Sequence, residues 1–186
     1  MSKKTTLDNR QRLLNLLKQF AFRKVKVVLS SGKESNYYID ARTVTLLAEG
    51  AYLIARLFWE EIKGKDYEAV GGPTIGADPI VGALAILSFQ EGVPLKTFII
   101  RKIPKAHGRK RQVEGPKLTR GRKVLLIDDV VTTGSSLLEA VKIMRRQGLL
   151  VKEVMALIDR REGAREALAK VGCRLKSIFT IDDFIS

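Results

Sequence analysis

The residues best suited to chemistry stand together between positions 124 and 136, which read VLLIDDVVTTGSS. A buried apolar strand ends in Asp128 and Asp129, and a turn around Gly134 then leads into a helix. Four hydroxyl side chains crowd this turn: Thr132, Thr133, Ser135 and Ser136. The free N–H groups and the positive dipole end of a new helix, reached through a flexible glycine, suit a phosphate monoester.

The two adjacent carboxylates call for a different ligand group. They would repel a phosphate at contact distance, so they are better suited to sugar hydroxyls, held directly or through a metal ion and water. Phosphate on one side and a diol on the other predict a ribose 5-phosphate site. An alternative is that Asp and Thr here only cap a helix, which accounts for one or two of these residues. A Walker A loop and a dinucleotide fingerprint are excluded, because the Gly-Lys-Ser/Thr and three-glycine patterns are missing.

A second chemical feature is the connection from 101 to 123, which reads RKIPKAHGRKRQVEGPKLTRGRK. It holds ten Lys or Arg and one acid, Glu114, so it supplies +9 of the formal net charge of +14. A loop of this length is uncommon in a compact domain unless it is a lid or a binding loop. Repulsion among its cations indicates a segment that stays mobile until a polyanion arrives.

The periodicity of the chain predicts the elements that position these segments. Helical spacing covers Leu7 to Phe20 and Ala48 to Ile62, and two short strand-like pieces around a Ser-Gly turn predict a hairpin over 25–40. Further strands are predicted near Ala69–Gly71, Leu95–Ile100, Val124–Ile127, Val151–Ile158 and Arg174–Thr180. Further helices are predicted near Ala77–Gln90, Ser135–Gln147 and Gly163–Val171. This alternation predicts an α/β domain with a mostly parallel sheet, whose ligands bind beyond the carboxyl ends of the strands. The three loops leaving strands there are 71–79, 101–123 and 128–136.

Composition narrows the class of protein. The 186 residues, 45% of them hydrophobic, predict one globular domain, and no apolar run reaches the length that spans a bilayer. The charged first 20 residues do not look like a secretory signal, and the single cysteine, Cys173, cannot form an internal disulfide, so we expect a cytoplasmic protein. The positive charge predicts a polyanionic ligand.

The stretch 124–136 resembles the phosphoribosyl pyrophosphate (PRPP) signature of type I phosphoribosyltransferases, in which an apolar strand runs into two acids and a Thr/Gly/Ser loop. The resemblance implies that fold over the whole chain: a hood at about 1–45, a core at about 46–186 of a mostly parallel sheet flanked by helices, and a mobile lid at about 101–122. It also implies that the acids contact the ribose and that the following loop grips the 5-phosphate. The implied PRPP residues are Asp128, Asp129, Val130, Val131, Thr132, Thr133, Gly134, Ser135 and Ser136.

Three more segments are similar to the orotate phosphoribosyltransferase family. The hood sequence LSSGKESNYYIDAR, 29–42, places Tyr37, Tyr38 and Ile39 at the family's base site, although either tyrosine taken alone could equally be strand packing. The loop GGPTIGADP, 71–79, resembles the pyrophosphate-side loop, where N–H groups of Thr74, Ile75 and Gly76 could approach a diphosphate. Some relatives carry a lysine in that loop and another at the position of Ser30; this chain has neither.

The third segment is the basic connection, which resembles the family's catalytic loop. Arg101, Lys102, Lys105 and His107 fall on the family's Arg, Lys, Lys and His positions. The resemblance implies that this loop closes over the pyrophosphate and that Lys102 reaches the neighbouring subunit's site, hence a homodimer. His107, the only histidine, could instead be an ordinary polar residue.

The resemblance also assigns the orotate contacts. Arg160, in ALIDRREGARE, stands where the family has the arginine for the substrate carboxylate, and Thr132 is a further implied contact. A guanidinium can hold a carboxylate through two parallel hydrogen bonds, and orotate differs from uracil by that group. The alternative role for an arginine in this segment is a surface ion pair in the next helix. That alternative fits Arg161, with Glu162 and Arg165, better than it fits Arg160.

The implied reaction transfers the phosphoribosyl group from PRPP to orotate, with Lys102, Asp128 and Asp129 as its catalytic residues. Mg²⁺ would be held mainly by PRPP, and a contact through water to either acid is left open. Two alternatives remain: a purine phosphoribosyltransferase, and a nucleic-acid-binding regulator on the same fold. The second is disfavoured because the basic connection contains no aromatic residue for base stacking. No membrane partner is expected.

Overall fold

The computed structural model describes residues 3–28, 34–103 and 112–185. Its helices are α1 (Lys3–Leu16), α2 (Arg42–Thr45), α3 (Ala48–Ile62), α4 (Asp78–Gln90), α5 (Ser135–Arg146), α6 (Ala164–Ala169) and α7 (Asp182–Ile185), and a π-helical turn, Leu17–Ala21, extends α1. Its strands are β1 (Phe22–Arg23), β2 (Val27–Val28), β3 (Glu34–Ser35), β4 (Tyr38–Ile39), β5 (Ala69–Pro73), β6 (Lys96–Ile100), β7 (Val113–Glu114), β8 (Val124–Val131), β9 (Glu153–Asp159) and β10 (Arg174–Thr180). None of the described helices is long and apolar enough to cross a bilayer.

The main sheet has the strand order β10-β9-β8-β5-β6-β7, and all its pairs are parallel except the antiparallel edge pair β6/β7. Helices cover both faces of the sheet, because successive side chains of β8 pack alternately into two separate hydrophobic cores. Leu125 and Ile127 pack into the core on the side of α1, α3 and α4, while Val124 and Leu126 pack into the core on the side of α5 and α6. The predicted α/β architecture with a mostly parallel sheet is therefore confirmed.

The hood is the small antiparallel unit before α2. Strand β2 pairs with β3, as the predicted hairpin requires, and β1 pairs with β4 so that Phe22 lies opposite Ile39. Residues 29–33, which include the predicted turn and Ser30, lie outside the described residues. The pairing of β1 with β4 brings Tyr38 and Ile39 back towards the main sheet.

Most predicted elements occur close to their predicted bounds, and α3 and β10 match them residue for residue. The predicted end of β8 is wrong: the strand continues through both acids to Val131, because Asp128 pairs with Ala156 and Val130 with Ile158 of β9. The short elements α2, β7 and α7 were not predicted. Each is only two to four residues long, too short for a periodic pattern to indicate.

The basic connection is tied to the sheet at both ends of its described part. The N–H of Arg101 donates to the carbonyl of Gln112 at 2.8 Å, and β7 extends the sheet beside β6. Further on, the Glu68 carboxylate accepts hydrogen bonds from the Lys96 ammonium at 2.7 Å and from the Thr119 hydroxyl at 2.8 Å. These bonds, from Lys96 first and then from Thr119, lower the pKa of Glu68 to about 2. Residues 104–111, with Lys105 and His107, lie outside the described residues, and the mobility of the lid stays a prediction.

Candidate active site

A cavity of about 920 Å³ opens at the carboxyl ends of β5, β6 and β8, beneath the hood. The loops predicted to carry chemistry meet there, as the parallel topology requires. The predicted site residues that line it are Tyr38, Ile39, Thr74, Ile75, Gly76, Arg101, Lys102, Asp128, Asp129, Val130 and Ser136. One cavity thus gathers cations from the basic connection, acids from β8 and apolar surface from the hood.

The two acids form a side-by-side pair in the cavity wall. The N–H of Asp129 donates to Oδ1 of Asp128 at 3.0 Å, and the N–H of Val130 donates to Oδ1 of Asp129 at 2.7 Å. Burial raises the pKa of Asp128 well above its ordinary value, and the charge of Asp129 raises it further. Burial also raises the pKa of Asp129, against the hydrogen bond from Val130. The pair is therefore poised to accept protons, hydroxyl donors or a cation.

The loop after β5, at residues 74–76, lies in direct contact with the two acids. A Cβ atom at position 76 would lie 3.0 Å from Oδ1 of Asp128 and closer still to the carboxylate of Asp129. Only glycine allows the backbone of 74–76 to come this near. The predicted pyrophosphate-side loop and the ribose-side acids are thus in contact.

A second, small polar cleft of about 50 Å³ adjoins the acids. Its lining is Asp128, Val130, Val131, Thr132, Thr133, Gly134, Ser135, Ser136 and Leu137. Gly134 has a φ of 80°, which a Cβ would strain, and α5 starts at the next residue. Because the first N–H groups of a helix have no intrahelical partners, residues 135–137 can donate to an anion in this cleft. The predicted phosphate residues therefore surround one cleft that shares Asp128, Val130 and Ser136 with the larger cavity.

Three charged residues of the larger cavity, Asp40, Arg42 and Asp78, were not singled out from the sequence. Arg42 donates to the carboxylate of Asp40 from Nε at 2.8 Å and from Nη2 at 2.9 Å, which lowers the pKa of Asp40. Its charge also opposes the rise in the pKa of Asp129 that burial causes. Oδ1 of Asp78 is buried without a hydrogen-bond partner, and burial raises the pKa of this carboxyl. All three stand inside the motifs YYIDAR and GGPTIGADP, whose charged positions were the available signal.

Arg160 and Tyr37 lie beside the cavity but do not line it. The Arg160 guanidinium is 4.7 Å from the centroid of the Tyr37 ring, which also stacks on Phe22 at 6.0 Å. Tyr37 is therefore packed within the hood, whereas Tyr38, 41% exposed, faces the cavity. The alternative ion pair between Arg161 and Glu162 is not formed: Glu162 pairs with Arg160, and Arg161 pairs with Asp182.

The fold and this site define the class of protein. The family model "Phosphoribosyl transferase domain" matches residues 45–184. Among curated proteins, the orotate phosphoribosyltransferase of Aquifex aeolicus (strain VF5) is 45% identical over 182 residues, covering 95% of this chain and 97% of the relative. That of Nostoc sp. is also 45% identical, over 174 residues, covering 94% of this chain and 84% of the relative.

Solved structures with a similar fold also include orotate phosphoribosyltransferases. Orotate phosphoribosyltransferase of Mycobacterium tuberculosis H37Rv in complex with Fe(III) dicitrate has a TM-score of 0.82 at 38% identity, covering 95% of this chain and 98% of that one. The same enzyme in complex with PRPP has a TM-score of 0.78 at 35% identity, covering 96% and 99%. The chain therefore belongs to the orotate phosphoribosyltransferase family.

The buried acid pair predicts that Asp128→Asn stabilises the ligand-free protein at neutral pH. Folding raises the pKa of Asp128, so the folded chain keeps a proton that the unfolded chain loses near 3.8, and wild-type stability falls as the pH rises above that value. Asparagine removes this loss, and a gain of about 1 kcal/mol would raise the Tm at pH 7 by about 2–4 °C. Melting curves at pH 4 and pH 7 measure the effect, which should shrink at pH 4.

The matched control is Asp66→Asn, which removes the exposed ion pair with Arg122 and should leave the Tm nearly unchanged at both values of pH. A Tm of Asp128→Asn below that of wild type at pH 7 would contradict the account of the acid pair.

Proposed function

We propose that this protein transfers the 5-phosphoribosyl group of PRPP to N1 of orotate, giving orotidine 5′-monophosphate and pyrophosphate, in pyrimidine nucleotide synthesis. The observation that carries the proposal is that two clefts adjoin and share Asp128, Val130 and Ser136. One is an amide- and hydroxyl-lined pocket for the 5-phosphate, and the other presents an acid pair to the ribose hydroxyls. Membership of the orotate phosphoribosyltransferase family supports the choice of substrate.

Catalysis by these residues is electrostatic and positional. Breaking the C1–O bond of PRPP leaves an electron-poor ribose and a highly charged leaving group, so no covalent nucleophile is required. Asp128 and Asp129 would fix the ribose through its hydroxyls and face the positive charge that develops on the ring. Arg101, which lines the same cavity, would neutralise the pyrophosphate together with Lys102 of the neighbouring subunit's lid. Closure of the lid would exclude water that hydrolyses the donor.

Mg²⁺ is part of the proposal, and the acid pair fits it. A buried and a half-buried carboxylate side by side are stabilised by a cation or its bound water. No group of three His, Cys, Asp or Glu among the described residues is arranged to hold a metal ion, which favours an ion that takes most of its ligands from PRPP. Bound to the diphosphate, Mg²⁺ would supply neutralisation of the leaving group.

The base site is proposed between the hood and the end of β9. Tyr38 and Ile39 supply apolar surface for the ring of orotate, and Thr132 lies at the phosphate side. Arg160 would hold the carboxylate of orotate, which uracil and the purine bases lack.

A homodimer is proposed with the lid shared between subunits. The exposed side of α4 and the turn after it carry an apolar stripe, in which Ile86 is 65%, Phe89 76% and Val93 57% exposed. Such a stripe suits a contact that is buried in a dimer.

A cytoplasmic location is also proposed, supported by the free, buried thiol of Cys173.

Substrate choice is tested by mixing the protein with PRPP, Mg²⁺ and one of orotate, uracil, hypoxanthine or adenine, and following absorbance. We expect consumption of orotate alone, because only orotate offers a carboxylate to Arg160. Asp128→Asn serves as the inactive control. Turnover of a purine base with orotate untouched would reject the assignment.

Lys102→Ala should lower kcat by about 10²- to 10³-fold, because one charge that stabilises the leaving group is lost. The KM for orotate should change far less. The matched control is Lys142→Ala, an exposed lysine of α5 away from the cavity, which should retain full activity. Equal effects of Lys102→Ala on kcat and on orotate binding would count against its role.

The shared lid predicts complementation between two inactive variants. Coexpressed Lys102→Ala and Asp128→Asn subunits pair at random, so half of the dimers are hybrids with one intact site each, and about a quarter of wild-type activity should return. Each variant alone is the control. No recovery in hybrids isolated with two different affinity tags would show that Lys102 serves its own subunit.

A further inference from the structure

The Arg160 guanidinium is held on three sides by residues of two different units. Its Nε lies 2.8 Å from Oε1 of Glu162 in the core. From the hood, the Tyr37 ring covers one face at 4.7 Å, and the Ser35 hydroxyl lies 3.4 Å from Nη2. Arg160 is only 7% exposed, so this charge is largely withdrawn from water and needs its partners.

The backbone of the β9–α6 turn is shaped to make this arrangement. The N–H of Arg160 donates to the carbonyl of Val131 at 2.9 Å, which ties the residue to the end of β8. Arg161 has a φ of 56°, a left-handed conformation that is uncommon outside glycine and is held here by a hydrogen bond from its N–H to Asp159 at 2.8 Å. Arg161 points to Asp182 at the surface, while Glu162 turns back to Arg160.

These contacts leave one edge of the guanidinium available. Arginine has five N–H donors, and the Nε side is occupied by Glu162, whose Oε1 lies 2.8 Å from Nε in an ion pair, although within the described part of the chain the Nε–H itself has no hydrogen-bond partner. The Nη2 contact with Ser35 is long at 3.4 Å, and among the described residues Nη1 donates no hydrogen bond. The edge formed by Nη1 and Nη2 can therefore still hold a carboxylate through two parallel hydrogen bonds.

We propose that Glu162 is a positioning residue for orotate. By occupying the Nε side of Arg160, it leaves only the Nη1/Nη2 edge for the substrate carboxylate, and Tyr37 fixes the plane of the guanidinium. Glu162 does not touch the substrate and acts through Arg160. This inference rests on the proposed function, because it assigns to Arg160 the carboxylate that distinguishes orotate.

The test compares Glu162→Ala and Glu162→Gln with wild type in steady-state kinetics and in ligand binding. Glu162→Ala should raise the KM for orotate by about 10- to 100-fold, because the guanidinium loses its fixed orientation, and should change the KM for PRPP by less than about twofold. Glu162→Gln keeps an oxygen acceptor at the same place, so its KM for orotate should lie between those of wild type and Glu162→Ala.

Binding of two nucleotides that differ only in the carboxylate separates positioning from a merely structural role. Calorimetric titration with orotidine 5′-monophosphate, which carries the carboxylate, should show weaker binding to Glu162→Ala. Titration with uridine 5′-monophosphate, which lacks it, should give the wild-type affinity. The matched control is Asp182→Asn, which removes the neighbouring pair with Arg161 and should bind both nucleotides as wild type does.

Each other outcome is informative. Tighter binding of orotidine 5′-monophosphate to Glu162→Ala would overturn the proposal, because Glu162 would then be a competitor that the substrate displaces. Equal weakening for both nucleotides, or no change for either, would also overturn it. If Glu162→Ala does not fold, Glu162→Gln carries the same comparison.

If the wild-type protein leaves orotate unreacted, the proposed function itself fails. If the wild-type protein turns over orotate and the Glu162 variants show wild-type kinetics and binding, only this inference is rejected.

Discussion

The placement of a buried and a half-buried carboxylate beside a helix N-terminus is the constraint on which the rest of the site depends. Asp128 and Asp129 lie side by side in the cavity wall, and both have raised pKa values. This arrangement destabilises the folded protein unless a proton, a hydroxyl donor or a cation binds to the carboxylates. The segment that follows the acids has the opposite charge preference, because the N–H groups at the start of α5 attract an anion. One ligand that satisfies both needs is a sugar phosphate, with its diol at the acids and its phosphate at the helix.

The fold keeps these opposed groups together by extending β8 beyond its apolar half. Pairing of Val130 with Ile158 and of Val131 with Asp159 carries the strand past the acids, so their backbone is fixed by the sheet. The carbonyl of Val131 then holds Arg160, and Arg160 meets Tyr37 of the hood. A continuous set of contacts thus links the proposed phosphate cleft, the acid pair and the proposed base site.

Much of this was predictable from sequence, for identifiable reasons. Helix α3 and strand β10 match their predicted bounds because their apolar residues repeat with a clear period and face one core. The phosphate cleft was predictable because it is formed by consecutive residues. The end of β8 was not, since aspartates are rare in strands and the strand is continued past them by the pairing of Asp128, Val130 and Val131 with β9. The partners of Arg160 were also missed: Ser35 lies 125 residues away in the chain, and Glu162 is reached through the unusual φ of Arg161.

The most direct test is a crystal structure of the protein with PRPP. The account predicts the 5-phosphate in the cleft of 130–137, with its oxygens about 3 Å from the N–H groups at the start of α5, and the ribose hydroxyls at Asp128 and Asp129. A PRPP molecule bound elsewhere, with this cleft filled by the protein's own side chains, would contradict it.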